Sequence, residues 1–228
     1  MKSKSLILLV LSLVLVIIII TYFRVEHLKA KLTQLTFTSP HTINTYRRIE
    51  KNGQIQNVEH TKELYVREIL DRIKAKGLMV NYNLTDKIDP NYEPDSQFRR
   101  QVFQGQKYNL DIHGMKDRSA SEIALITDLQ NREINDSSYD IIIGTAVREY
   151  DLDEVQAYLE SLGLKVGINK IFAGKTRSLT KYLQEEHGVK AIQIELSNDA
   201  RQRADIDQIL VRSGELFVTN NQNLFIII

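Results

Sequence analysis

Val189-Lys190-Ala191-Ile192-Gln193-Ile194-Glu195-Leu196-Ser197 reads as one strand, and its neighbours decide the fold. Val189, Ala191, Ile192, Ile194 and Leu196 give it an almost continuous apolar content, the mark of a strand covered on both sides. Before it, Thr176 to Glu186 is helical and is closed by Gly188; after it, Ala200 to Leu216 is a long amphipathic helix. The same alternation extends upstream. Strands are expected at Leu35-Thr36-Phe37-Thr38, at Leu78 to Asn83, at Tyr108 to Ile112 ending in His113-Gly114, at Tyr139 to Gly144, and at Leu164 to Ile168. Helices are expected at Val58 to Lys76, closed by Gly77, and at Asp153 to Leu162, closed by Gly163. Strands separated by helices imply an α/β fold, with a mostly parallel or mixed twisted sheet and helices on both faces.

The 228 residues suffice for one medium domain, expected over 35–228. Ahead of it, Leu6 to Phe23 is an apolar run of roughly 18 residues, near the minimum for a membrane-spanning helix. Thr21-Tyr22-Phe23-Arg24 is a poor cleavage site, so residues 1–24 are expected to be an uncleaved N-terminal signal anchor, a transmembrane helix, followed by a polar stalk over 25–34. Lys2 and Lys4 precede the run, while Arg24, Lys29 and Lys31 follow it, so charge does not fix the orientation. The short basic leader favours a single-pass protein of the cell membrane with its domain outside. The apolar Leu224 to Ile228 is expected to bury against that domain.

Lys and Arg number 30 against 29 Asp and Glu, which gives no electrostatic reason to expect nucleic acid as a partner. With no cysteine, thiolate chemistry, thiolate zinc sites and disulfides are excluded. Any histidine chemistry must use His27, His41, His60, His113 or His187.

In sheets of this kind, sites form beyond the carboxyl ends of the strands. Four strand ends carry a polar or glycine feature there: His41, His113-Gly114, Gly144 and Glu195. His113, on a rigid strand end, suits a metal ligand, and a zinc site would need another histidine and a carboxylate, with His41 and Glu59 as candidates. Glu195 is a charge on an otherwise apolar strand, costly unless paired or functional. Bland readings stand beside these. Asp111 can hold a turn, Glu195 can pair with Arg201, and Glu59-His60 can be a first helical turn whose carboxylate suits the dipole.

The order Ser39-Pro40-His41, Glu59-His60-Thr61, Asp89-Pro90-Asn91, Asp111-Ile112-His113-Gly114, Asp140 with Gly144, Asn169 to Gly174, and Gln193-Ile194-Glu195 resembles the N-formylglutamate amidohydrolase family. That family is related to phage poly-γ-glutamate hydrolases and, more distantly, to zinc carboxypeptidases. The resemblance runs from about Phe37 to Arg201. It implies one zinc ion on His41, Glu59 and His113, with Glu195 as general base. It also implies that Asp89, Asn91, Arg99 and Arg100 lie at a substrate cleft whose rim includes Asn169 and Gly174. Members commonly carry an arginine after the asparagine; here Tyr92 follows Asn91, and Arg99 and Arg100 are the nearest arginines. An arginine such as Arg99, Arg100 or Arg148 would grip a substrate carboxylate. The expected function is a membrane-anchored, zinc-dependent amidohydrolase or peptidase. It would act on small-molecule, peptide or polyglutamyl amides, or on cell-wall material. The alternative is a catalytically silent surface-anchored binding module with the same fold.

Overall fold

The computed structural model of the chain describes residues 13–23, 26, 30, 32–51, 53–115, 139–169, 173–175 and 178–222. The elements run β1 (Leu35–Ser39), β2 (Thr45–Lys51), β3 (Gln54–His60), α1 (Val66–Ala75), β4 (Met79–Tyr82), α2 (Gln97–Val102) and β5 (Tyr108–Gly114). After them come β6 (Ile141–Gly144), α3 (Asp153–Ser161), β7 (Val166–Ile168), α4 (Leu179–His187), β8 (Lys190–Leu196), α5 (Asn198–Gln202) and α6 (Ile206–Asn220).

Six strands form one sheet in the order β4-β1-β5-β8-β6-β7, and β2 and β3 form a separate antiparallel hairpin. Within the sheet β1 is parallel to β4 and β5, β5 to β8, and β6 to β7, whereas β6 runs antiparallel to β8. The sheet is therefore mixed and mostly parallel. One consequence is that Gly144 ends a strand running opposite to β1, β5 and β8. Of the four expected strand ends, those at His41, His113 and Glu195 share one edge of the sheet, and that at Gly144 does not.

Alternation along the strands gives the sheet two unlike faces. Leu35, Phe37, Tyr108, Leu110, Ile112, Ile192, Ile194 and Leu196 pack with residues of α1, α3 and α6 in the main core. Gly214 of α6 permits the close approach on that side; a Cβ there would lie 2.6 Å from the Leu35 side chain. The opposite face meets Phe98 and Val102 of α2 and Leu179 and Leu183 of α4, in a smaller core with Val189 and Ala191. The other residues of β1, β5 and β8 on this face are polar and buried, in paired rows: Thr36 beside Asn109, then Thr38, Asp111 and Gln193, then His113 beside Glu195. Polar content rises towards the strand ends, and buried polar groups persist only where they find partners.

Two helix expectations change. Val58 to Lys76 is a strand arm, a loop and a helix. The helical repeat of buried Val66, Ile69, Leu70 and Ile73 begins only after Tyr65, while Val58 faces Arg47 across the β2–β3 hairpin. The expected helix from Ala200 to Leu216 is two helices, separated at Arg203 to Asp205. At the start of α6, buried Asp207 bonds Arg72 and Lys76 of the α1 segment, both at 3.1 Å. Burial alone would raise its pKa, but the two cations outweigh this and hold it below the usual carboxylate value. Its contribution is therefore present above the unfolded pKa of about 3.9 and is lost as pH falls through the lower folded value. Asp207→Asn is expected to cost about 1 kcal/mol at pH 7 because the cations are half-exposed, and the deficit should fade in urea melts at acid pH.

Residues 13–23 are helical, and their large apolar side chains are exposed. Residues 1–12 and 24 of the expected anchor lie outside the described residues, as do half of the stalk and the tail at Leu224 to Ile228. Among the described residues no helix is long and apolar enough to cross a membrane. This contradicts the expected single-pass cell-membrane location and leaves the membrane as a partner unsupported.

Candidate metal centre

The edge of the sheet at the ends of β1, β5 and β8 gathers a cluster of histidines and carboxylates. His41 follows β1, where Ser39 and Pro40 turn the chain; His113 is the next-to-last residue of β5. Both rings are about 2% exposed, so neither can rely on water. Each places Nε2 on a buried aspartate: His41 on Asp89 Oδ1 at 2.9 Å, and His113 on Asp111 Oδ2 at 3.0 Å. Each turns Nδ1 towards the same oxygen, Glu63 Oε1, at 2.8 Å from His41 and 3.5 Å from His113. The other Glu63 oxygen accepts the Gly114 backbone N–H at 2.8 Å. Glu63 comes from the loop between β3 and α1, and its own N–H donates to the His41 carbonyl at 3.0 Å.

The aspartates are fixed in turn. Asp89, fully buried, accepts from Arg47 Nε at 2.7 Å and from the Asn91 N–H at 2.9 Å. Asp111 accepts from Thr38 Oγ1 at 2.9 Å, which takes a bond from Asn109 Nδ2 at 3.0 Å, and from Thr180 Oγ1 of α4 at 3.4 Å. A carboxylate behind each imidazole sets the ring orientation and leaves the far nitrogen aimed at one point.

The electrostatics follow from this geometry. Burial alone would keep His41 neutral, yet Glu63 and Asp89 outweigh it and raise its pKa above the usual imidazole value. Burial opposes protonation of His113 too, and Asp111 and Glu63 override it to hold the ring well above that value. Burial would raise Glu63, but His41 and His113 drive it well below the carboxylate range. Glu195 behaves in the opposite way. It lies beside His113 in register on the neighbouring strand, and burial pushes its carboxyl upward, reinforced by the charge of Glu63. Gln193, two residues earlier on the same face, donates to Glu195 Oε1 at 2.6 Å.

The donor chemistry fits a divalent ion. Imidazole nitrogens with a carboxylate oxygen suit zinc and similar transition metals. A third ring bears this out: His60 Nε2 is buried without a hydrogen-bond partner, 3.8 Å from Glu63 Oε1. Donor atoms of His41, His60 and Glu63 all lie within 4.8 Å of one another.

Of the residues singled out in the sequence, His41, His113 and Glu195 come together. Glu59 does not join them. It is exposed on β3, beside Tyr46, and its Oε1 accepts from Asn44 Nδ2 at 3.3 Å; the carboxylate between the two histidines is Glu63. Asp89 lies behind His41 rather than facing open space. Asn91 Oδ1 accepts the Leu179 N–H at the start of α4 at 3.0 Å. Arg99 is buried over the Tyr182 ring and lines a cavity of about 360 Å³ with Ser178 and Lys181. Arg100 is exposed and bonds the Asp95 carbonyl. Arg148 is exposed after β6, and Asn169 bonds Thr145 after β7. Sequence reasoning missed Glu63, Gln193 and the positions of Asp89 and Asp111 behind the rings. Glu63 follows His60 in a loop, where no periodic signal marks it.

No family model matches the chain, and no curated protein matches it significantly. Among solved structures it is similar to a bacteriophage poly-gamma-glutamate hydrolase, with a TM-score of 0.48 and 12% identity over 82% of this chain and 84% of that one. It is also similar to N-formylglutamate amidohydrolase from Ralstonia eutropha JMP134, with a TM-score of 0.44 and 15% identity over 82% and 91% of the two chains. An N-acetylmuramyl-L-alanine amidase from Mycobacterium abscessus follows, with a TM-score of 0.41 and 8% identity over 81% and 96%. Likeness at this depth says nothing of activity, and the functional reading rests on the side chains.

Proposed function

We propose that the chain is a zinc-dependent hydrolase of amide bonds, with His41, Glu63 and His113 holding the ion and Glu195 as general base. One observation carries this reading. Two buried imidazoles, each backed by its own buried aspartate, turn their Nδ1 atoms on one carboxylate oxygen, at 2.8 and 3.5 Å. Beside them stands a second carboxylate with a different environment. Two carboxylates whose surroundings push their pKa values apart are the mark of divided roles.

A divalent ion in this position supplies Lewis-acid polarisation and acidifies water. The protein supplies the rest. Asp89 and Asp111 keep the rings in the ligating orientation. Glu195, made a better proton acceptor by burial, takes the proton from the attacking water. The water oxygen adds to the amide carbon. As the carbon–nitrogen bond breaks, Glu195 returns the proton to the departing amine, so the proton count closes. Gln193 holds the Glu195 carboxylate in place throughout.

Glutamyl-type amides are the class to test first, because the order of motifs resembles enzymes that act on them. The full chain, stripped with a chelator and reloaded with zinc, is assayed on a panel of N-acyl-glutamate, γ-glutamyl and muramyl-peptide amides. Cleavage that vanishes with chelator and returns with zinc supports the reading. Zinc binding with no cleavage of any amide would leave a silent binding module, and failure to bind zinc would remove the metal site altogether.

A further inference from the structure

We infer that His60 is a further protein donor to the same ion, giving three imidazole nitrogens and one carboxylate oxygen, with the attacking water in a fifth position; this rests on the metal site of the proposed function. The His60 ring is a quarter exposed, yet its Nε2 atom is covered and makes no hydrogen bond. That nitrogen points inward, 3.8 Å from Glu63 Oε1, and the ring centre lies 4.2 Å from that of His41. Three imidazole nitrogens thus surround one carboxylate oxygen at 2.8, 3.5 and 3.8 Å. Two of them are backed by aspartates at the far side of the ring. His60 is held by backbone instead.

The segment that carries His60 is pinned. His60 pairs with Thr45 at the open end of the β2–β3 hairpin, where the two strands leave it. Lys62 N–H donates to Asn44 Oδ1 at 3.0 Å, and Glu63 N–H to the His41 carbonyl at 3.0 Å. Residues 60–63 are therefore tied to residues 41–45 at three points, and His60 cannot drift from His41 without breaking that frame. A buried nitrogen with no partner is costly to keep, and an ion at the centre of the cluster satisfies it. A set of three nitrogens also makes the site prefer borderline metals such as zinc or cobalt to magnesium or calcium.

The test uses the full chain and Zn²⁺ alone, with Co²⁺ as a spectroscopic substitute. Long-range proton–nitrogen spectra should show His41, His60 and His113 nitrogens all shifting as zinc is added. His60→Ala should weaken zinc in competition with a chromophoric chelator by roughly 10- to 100-fold or more and should alter the Co²⁺ absorption bands. Circular dichroism of His60→Ala, expected to match the parent because the ring lies on an exposed hairpin, keeps a folding defect distinct from a lost ligand. If only His41 and His113 respond, and His60→Ala binds zinc as the parent does, His60 is not a ligand while the three-residue site stands. If the parent chain takes up no zinc, both the site and the fourth donor fall.

Discussion

Glu63→Gln is expected to destabilise the metal-free protein by about 3–5 kcal/mol and to weaken zinc by more than the 10- to 100-fold typical of a lost outer-shell partner. The substitution keeps the shape of the side chain and removes its charge. Two buried histidines with raised pKa values then lose the carboxylate facing both Nδ1 atoms. Breaking a buried ion pair from one side leaves the partner charge uncompensated, which is the expensive case. Asp89 and Asp111 remain on the Nε2 sides, so the loss should fall near the lower end of the range. Urea melts and chelator competition on the same preparations would measure both effects. A variant as stable and as zinc-avid as the parent would mean that Glu63 is not the hub of the cluster.

Glu195→Gln should leave zinc affinity within a few-fold of the parent and lower kcat for any amide substrate by about 10²- to 10⁴-fold, the range for loss of a positioned acid–base group. Glu195 is not among the groups whose atoms meet at Glu63 Oε1. It sits one strand over from His113 and is bonded by Gln193. Its raised pKa makes it the stronger proton acceptor of the two, whereas Glu63, strongly depressed, is suited to face positive charge. Loss of metal together with activity would assign Glu195 to the binding set; unchanged activity would remove it from the mechanism.

A smaller effect is expected at Gly114. A Cβ there would lie 1.6 Å from Arg201 Nη1 and 3.2 Å from Glu63 Cβ. Arg201 is buried and donates to the Met115 carbonyl at 3.1 Å, so it cannot swing into solvent freely. Gly114→Ala should cost about 1–3 kcal/mol, seen as a lower thermal midpoint, and should weaken zinc by disturbing the Glu63 bond to the Gly114 N–H.

The strand-borne part of this site was legible because its signals are local. His113 and Glu195 are ionisable residues near the ends of otherwise apolar strands, and pairing in register makes them neighbours. Glu59 was misplaced because the stretch from Val58 was read with a helical period. As a first helical turn, Glu59 would face the cleft; as a strand, Glu59 and His60 point to opposite faces of the hairpin, and only His60 looks inward. Glu63 lies in a loop with no period to read. Only the family resemblance places Asp89 at a substrate cleft. Its burial behind His41 depends on the contact between its turn and β2, where Asp89 N–H bonds the Tyr46 carbonyl, a pairing between distant segments. The antiparallel setting of β6 had no local sign either, since a buried strand reads the same in both directions.

Convergence of one ion on His41, Glu63 and His113 is tested most directly by anomalous diffraction at the zinc edge from crystals of the full chain grown with zinc. The expected result is a single strong peak among His41 Nδ1, Glu63 Oε1 and His113 Nδ1, with bonds near 2.0–2.2 Å. No peak there, or zinc only on a remote group such as His187, would contradict the proposed metal centre.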